Sequence, residues 1–149
     1  MSVVTRVNTT QLQDFIRKDQ ASAPQVLSEW QQEGSLELMM QLRQNTPVKT
    51  GMLRESVNRR NTPKGFTVFF TKPYDKLANY LEKGTAAHII FPSDPNGVLT
   101  WTDRSGVQRF AKYVRHPGFR GRFFIQRTKE QARPVLRELY RSIWEKWHR

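Results

Sequence analysis

The sequence predicts an α+β fold: an antiparallel sheet of about four to five strands, packed by a long N-terminal helix and a kinked C-terminal helix. Apolar residues recur at helical spacing in residues 25–46 and from about residue 123 to 147. Between these segments, short runs rich in Val, Ile, Thr and aromatic residues alternate with turn sequences, which favours antiparallel pairing. The 149 residues suffice for one domain, expected over 25–149, after a polar N-terminal arm or short helix over 1–24.

The long N-terminal helix is predicted for residues 25–46. The sequence Ala-Ser-Ala-Pro at 21–24 predicts a break before it, because the residue that precedes a proline avoids the helical conformation. Gly34 inside the helix indicates either a kink or close packing, and Pro47 ends the helix. One face carries the apolar side chains Val26, Leu27, Trp30, Leu38, Met39 and Leu42.

The stretch TPVKTGMLRESV at 46–57 predicts a corner that joins this helix to the sheet. Thr50 is expected to cap a short helix whose first turn starts at Gly51. Leu53 should point into the protein, and Ser56 should begin the first strand.

The remaining elements follow from turn and helix signals. The runs SVNRRN and GFTVFFT predict a strand pair, in which Arg59 and Arg60 point to opposite faces. PYDKLANYLEKGT predicts a helix that ends at Gly84 in a left-handed conformation. AAHIIFP is a predicted strand, VLTWTD and VQRFAKYV form a predicted hairpin, and HPGFRGR turns the chain into the last helix. Pro134 lies inside that helix and is expected to kink it or divide it in two.

The chain is strongly basic, with a net charge of +12. Residues 1–46 hold four Lys and Arg against five Asp and Glu, whereas residues 47–149 hold 21 against eight. Such an excess predicts an anionic partner, which can be nucleic acid, an acidic protein face or a membrane surface; a solvated face without a partner is the alternative. Contacts to nucleic acid would reach phosphates without reading sequence. The candidate contact residues are Arg59, Arg60, Arg115, Arg120, Arg122, Arg133, Arg137 and Arg141.

The sequence predicts no metal, no cofactor and no catalytic residue, and hence a protein that is not an enzyme. It has no cysteine, and its histidines, His88, His116 and His148, lack the spacing of metal ligands. No apolar stretch approaches the roughly 20 residues that span a bilayer, and no signal peptide is apparent, so we expect a soluble intracellular protein without a membrane partner. The alternative is a small basic nucleic-acid-binding protein or toxin-like ribonuclease, which would use residues between Arg109 and Arg122.

Three motifs in fixed order resemble the neck proteins of tailed bacteriophages, a family also called head–tail connection, tail-completion or minor tail proteins. The chain has Thr-Pro-Val-Lys-Thr-Gly-Met-Leu-Arg-Glu-Ser at 46–56, Tyr-Leu-Glu-Lys-Gly-Thr at 80–85 and His-Pro-Gly at 116–118. The resemblance covers roughly residues 25–140, and Tyr80 lies one residue nearer to Glu82 than is usual in the family. The matching residues are Pro47, Thr50, Gly51, Leu53, Ser56, Tyr80, Glu82, Gly84, Thr85, His116, Pro117 and Gly118.

The resemblance implies a ring-forming subunit, such as a hexamer or dodecamer, between the capsid portal and the tail. It implies location in the virion neck, after assembly in the host cytoplasm, and contacts with other neck and tail proteins. The basic surface would then meet either the phage DNA or acidic faces of neighbouring proteins. Trp144 and Trp147 are candidates for the subunit interface, because Trp is enriched at binding hot spots; the alternative is that both fold back on the sheet of their own chain.

Overall fold

A computed structural model describes residues 10–148, with side chains described from residue 17 onward. The helices are α1 (Thr10–Asn45), α2 (Met52–Glu55), α3 (Tyr74–Lys83) and α4 (Phe124–His148). The strands in this part of the chain are β1 (Val57–Thr62), β2 (Gly65–Phe70), β3 (Gly84–Thr85), β4 (His88–Ile90), β5 (Leu99–Thr102), β6 (Gln108–Ala111), β7 (Val114–His116) and β8 (Phe119–Arg120).

The α+β class is confirmed, with a long N-terminal helix, antiparallel strands and a long C-terminal helix. Every strand pair is antiparallel: β1 with β2, β3 with β8, β4 with β7, and β5 with β6. The strands form four separate two-stranded sheets rather than one continuous sheet. The hairpins around residues 62–65 and 104–106 and the helical stop at Gly84 (φ 79°) are where the sequence predicts them.

Helix α1 is continuous through Pro24, so the predicted break at 21–24 is wrong. Helix α1 packs along α4, and just after the exposed Pro24 the side chain of Val26 is buried and lines a cavity together with Trp144. Packing of a helix face against the rest of a protein can offset the local cost of a proline. Residues 1–9 of the predicted N-terminal arm lie outside the described residues.

The chain consists of two compact units, one formed by the residues up to Asp75 together with those from Phe124 onward, the other by Lys76–Phe123. The expectation of one domain over 25–149 stays a prediction. In the first unit, α1 packs along α4 and along the hairpin of β1 and β2. Its buried apolar side chains are Val26, Leu42, Leu53, Val57, Phe124, Ala132 and Ile143. The second unit contains one buried apolar residue in the described chain, Ala78, so paired backbone contributes much of its structure.

Gly34 is a site of close packing within α1. A Cβ atom at this position would lie 2.8 Å from Cε1 of Phe66, closer than real Cβ contacts allow. The missing side chain therefore lets the β1–β2 hairpin approach the helix. Helix α4 is likewise continuous across Pro134, which does not divide it; the bend expected there stays a prediction.

Candidate interaction surfaces

The corner between α1 and β1 is fixed by a chain of short-range hydrogen bonds. The buried Thr46 donates from Oγ1 to the Leu42 carbonyl over 2.6 Å at the end of α1. Ser56 ends α2, with Oγ donating to the Leu53 carbonyl over 2.7 Å and the amide donating to the Met52 carbonyl over 3.0 Å. Bonds of this kind satisfy backbone groups that a helix end leaves without partners, so the corner has a defined geometry.

The predicted cap at Thr50 is wrong, because Gly51 occupies the N-cap of α2 and no side chain caps it. Gly51 has φ 87°, a left-handed conformation that a residue with a Cβ atom adopts only at a cost. Leu53 is buried as predicted. In this motif the structural roles therefore fall to Gly51, Leu53 and Ser56, whereas Thr50 is exposed and Pro47 half-buried.

The second and third motifs lie side by side in the unit formed by Lys76–Phe123. Strands β3 and β8 pair Gly84 with Arg120 and Thr85 with Phe119. A Cβ atom on Gly84 would lie 2.4 Å from the Phe119 carbonyl oxygen, and one on Gly118 would lie 2.2 Å from the Thr85 carbonyl oxygen. The two backbones can approach this closely only because both positions are glycines.

This glycine contact extends past the two motifs. A Cβ atom on Gly121 would lie 2.3 Å from the Glu82 carbonyl oxygen. The amide of Arg122 donates to the Leu81 carbonyl over 2.8 Å, and that of Phe123 donates to the Glu82 carbonyl over 3.2 Å. The segment after His-Pro-Gly therefore runs along the end of α3, while the side chain of Tyr80 on that helix stays exposed.

His88 and His116 face each other across the β4–β7 pair, with ring centroids 5.0 Å apart. Nδ1 of His116 lies 3.0 Å from the Gly118 amide, which can only donate, so this nitrogen accepts. Nδ1 of His88 lies 2.9 Å from the Ala86 carbonyl, which can only accept, so this nitrogen donates. When both rings are neutral, Nε2 of His116 therefore carries a proton and Nε2 of His88 has a free lone pair.

The side of the β4–β7 pair that carries Ile89 and Arg115 is exposed and largely apolar. These two residues are directly opposite each other in the register. The rings of Phe91 and Tyr113, one residue beyond the strand ends, lie 6.3 Å apart. Phe91 is 66% exposed and Tyr113 52%. An exposed cluster of aliphatic and aromatic side chains is typical of an interaction surface.

The arginines proposed as anion contacts occupy different elements and environments. Arg59 is half-buried and donates to Ser35 Oγ over 2.7 Å, so it ties β1 to α1. Arg60 points to the other face, as predicted, where its guanidinium lies 5.5 Å from the Phe69 ring centroid. The remaining members are all exposed, as Arg60 is: Arg115, Arg120 and Arg122 in the second unit and Arg133, Arg137 and Arg141 on α4. Arg141 forms an ion pair with Glu138 over 3.1 Å.

The C-terminal end of α4 is attached to α1 by polar contacts. Glu29 accepts from Lys146 Nζ over 2.6 Å and from Trp147 Nε1 over 2.7 Å. The Lys146 and Trp147 hydrogen bonds lower the pKa of Glu29, and the hydrogen bond with Glu29 raises the pKa of Lys146. His148 Nε2 lies 2.9 Å from Asp19 Oδ1. These contacts fix the helix end in register with α1.

The two tryptophans near this end differ in environment. Trp144 is half-buried, stacks on His148 with ring centroids 4.0 Å apart and lines a cavity with Val26 and Trp30 of α1. Trp147 remains 42% exposed. Trp144 thus packs on its own chain, against α1 rather than against a sheet, whereas Trp147 keeps a surface that a partner can reach.

A groove of about 520 Å³ lies between α1 and α4. Its apolar lining comes from Trp30 and Leu38 of α1 and from Ala132, Leu136 and Tyr140 of α4. Three cations, Lys129, Arg133 and Arg137, line it as well, four residues apart along α4. The groove therefore combines an apolar surface with positive charge on one helix.

Among the described side chains, no group of three or more His, Cys, Asp or Glu could hold a metal ion. Within residues 10–148, no helix is both long and apolar enough to cross a membrane. Neither family models, nor curated proteins, nor solved structures gave a match to this chain.

Proposed function

We propose that this chain is a structural virion protein of a tailed bacteriophage: a ring-forming subunit of the neck that joins the capsid portal to the tail. The proposal starts from the three motifs that resemble those of phage neck proteins. It includes self-association into a ring, binding to other neck and tail proteins, and assembly without catalysis.

The observation that supports it most is the contact between the second and third motifs. The glycines of the second and third motifs, Gly84 and Gly118, occupy positions at which the neighbouring backbone leaves no room for a side chain. Thr85 and His116 take part in the same arrangement through backbone pairing with Phe119 and His88. Gly84 and Gly118, which are 34 positions apart in the chain, thus serve one local structure, which argues against a chance match of short sequences.

The surfaces are also suited to assembly. The exposed cluster around Phe91 and Tyr113 and the groove between α1 and α4 leave apolar area in contact with water, which is typical of proteins that bind other proteins. Both surfaces carry arginine, a residue enriched in protein interfaces.

The test is complementation of tail joining. A nonsense codon in the reading frame of the encoding phage should yield separate heads and tails under non-suppressing conditions. Purified wild-type protein added to that lysate should restore complete particles, counted by electron microscopy and by infectivity, and mass spectrometry should find the protein in them. Complete infectious particles formed without the protein would contradict the proposal.

A second candidate, cleavage of RNA, is favoured by one observation: the pairing of His88 with His116. The hydrogen bond donated by Nδ1 of His88 leaves its Nε2 able to accept a proton as a general base, and His116, with its ring centroid 5.0 Å away, would be the general acid in its imidazolium form. Labelled RNA incubated with wild type, His88→Ala and His116→Ala tests this: cleavage lost in both variants supports it, and intact RNA with the wild-type protein contradicts it.

A further inference from the structure

The groove between α1 and α4 carries positive charge that forms no ion pair with the described side chains of its own chain. Lys129, Arg133 and Arg137 are exposed, and none forms an ion pair with a described side chain. Beside them, Tyr140 is 46% exposed over the apolar floor. A binding partner that fits such a groove is a helix with acidic and apolar residues on one face.

The chain itself presents such a helix face. On α1, the residues Glu33, Leu36, Glu37 and Met40 follow one another at helical spacing and form what we call the acidic stripe. Leu36 is 41% exposed and Met40 45%, Glu33 is exposed, and Glu37 is half-buried with its carboxylate bonded to Gln41. An apolar helix face left in water is a surface that a partner can cover.

The charges on the acidic stripe and on the groove are opposite in sign and have the same spacing. Glu33 and Glu37 are four residues apart on α1, as Arg133 and Arg137 are on α4. Four residues span about 6 Å along a helix, so both carboxylates of one helix can meet both guanidinium groups of another. Leu36 and Met40 would then cover the apolar lining of the groove.

The acidic stripe lies beside the groove on α1: Leu36 of the stripe and Leu38 of the groove differ by about 200° around the helix axis, whereas Glu37 and the groove residue Trp30 differ by only about 20°. When the stripe of one copy enters the groove of another, the groove of the first copy and the stripe of the second remain open to further copies. Such a heterologous contact repeats from copy to copy and closes into a ring when its rotation allows.

We infer that the groove between α1 and α4 receives the acidic stripe of a second copy of this chain, and that this is the contact between neighbouring subunits. The inference rests on the proposed function, since it names the surfaces by which a ring of this protein would form. The arginine row of α4 is then a protein-binding surface, and not a contact with DNA.

Two charge-reversed variants test this contact: Arg133→Glu with Arg137→Glu, and Glu33→Arg with Glu37→Arg. Each should remain folded by circular dichroism, because Glu33, Arg133 and Arg137 are exposed and the half-buried Glu37 loses only its hydrogen bond with Gln41. Each alone should raise the dissociation constant of the oligomer by at least about tenfold, because like charges then face each other. Lys64→Glu with Lys76→Glu, a matched reversal of two exposed lysines elsewhere, should leave the oligomer unchanged.

Mixing the two variants is the decisive measurement. In an equimolar mixture, the acidic groove of one variant faces the basic stripe of the other, and the reverse contact is also complementary. Oligomers absent from either sample should therefore reappear in the mixture, as measured by sedimentation velocity and by the mass of the native particle.

Three results would overturn the inference: a wild-type protein that stays monomeric at every concentration, variants that assemble like wild type, or a mixture that fails to recover. A loss of DNA binding in Arg133→Glu with Arg137→Glu, without a change in oligomer mass, would assign the row to phosphates instead. If the wild-type protein fails to restore tail joining but the mixed variants form oligomers again, the proposed function is refuted and this contact stands. If both variants restore tail joining as well as wild type does, the contact is refuted and the proposed function stands.

Discussion

Gly118 lies so close to Thr85 that a Cβ atom on the glycine would be 2.2 Å from the threonine carbonyl oxygen. The carbonyl belongs to the backbone of β3, which is paired with β8 and cannot move aside alone. The Thr85 segment and the His-Pro-Gly turn are therefore held together by an approach that only glycine permits.

Gly118→Ala should destabilise the protein markedly, whereas Gly106→Ala is its matched control. Both glycines have positive φ, 76° and 84°, so each substitution incurs backbone strain of about 1–2 kcal/mol. A Cβ atom on Gly106 would meet nothing within 4 Å. The clash at Gly118 should add about 1–3 kcal/mol to its cost, as overpacking does. Chemical denaturation of both variants measures the difference, and equal losses of stability would show that the contact between the motifs is loose.

Stability should depend on pH through the pair of Glu29 and Lys146. Because the pKa of Glu29 is lowered in the folded protein, its ionised carboxylate stabilises the fold above the ordinary pKa of 4.5. This stabilisation is lost as the pH falls through the lowered pKa. Because the pKa of Lys146 is raised in the folded protein, its ammonium group stabilises the fold below the ordinary pKa of 10.5. This stabilisation is lost as the pH rises through the raised pKa.

The Glu29→Gln variant isolates this pair, because it removes the charge and keeps an acceptor for Trp147. The difference in thermal unfolding midpoint between wild type and variant should be constant near neutral pH and should shrink as the wild-type carboxylate becomes protonated in acid. Curves that stay parallel down to the acidic limit would mean that Glu29 contributes nothing through its charge.

The sequence was sufficient for features that local preference decides. Gly84 ends α3 in a left-handed conformation because a residue without Cβ is favoured there, and the hairpins follow from their turn residues. Leu53 is buried and Arg59 and Arg60 point to opposite faces because apolar pattern and strand alternation dictate it.

Features that depend on distant parts of the chain could not be predicted. Helix α1 continues through Pro24, and the residues that follow the proline line a cavity with Trp144 of α4, more than 100 positions away in the chain. The cap of α2 falls on Gly51 instead of Thr50, since the chain enters the helix in a left-handed conformation that propensity alone does not reveal. The contact of Gly118 with Thr85 and the pairing of His88 with His116 require the antiparallel registers, which no local signal specified.

Binding to duplex DNA should be independent of sequence and should fall steeply with salt if the second unit contacts phosphates. Each phosphate contact contributes a slope of about −0.9 to the dependence of log affinity on log salt concentration. Arg115→Glu with Arg120→Glu should weaken binding on unrelated sequences alike, because both side chains are exposed. Arg133→Glu with Arg137→Glu serves as the control that should bind normally. No binding of the wild-type protein at low salt would leave acidic protein faces as the partners of this surface.

The two tryptophans at the end of α4 should respond differently to replacement by alanine. Trp144 is half-buried against α1, so Trp144→Ala should lower the free energy of unfolding by at least about 2 kcal/mol, below the 3–5 kcal/mol of a fully buried aromatic residue. Trp147→Ala should cost less stability, because that ring is 42% exposed and its main polar contact is Glu29.

Removing residues 142–149 deletes Trp144, Trp147 and the buried Ile143 and should impair folding, which denaturation curves would measure. If Trp147→Ala folds like wild type but forms smaller particles in sedimentation, its exposed edge is part of a subunit contact. If the truncated protein folds and assembles as before, the end of α4 is neither core nor interface, and the groove between α1 and α4 would have to account for assembly without it.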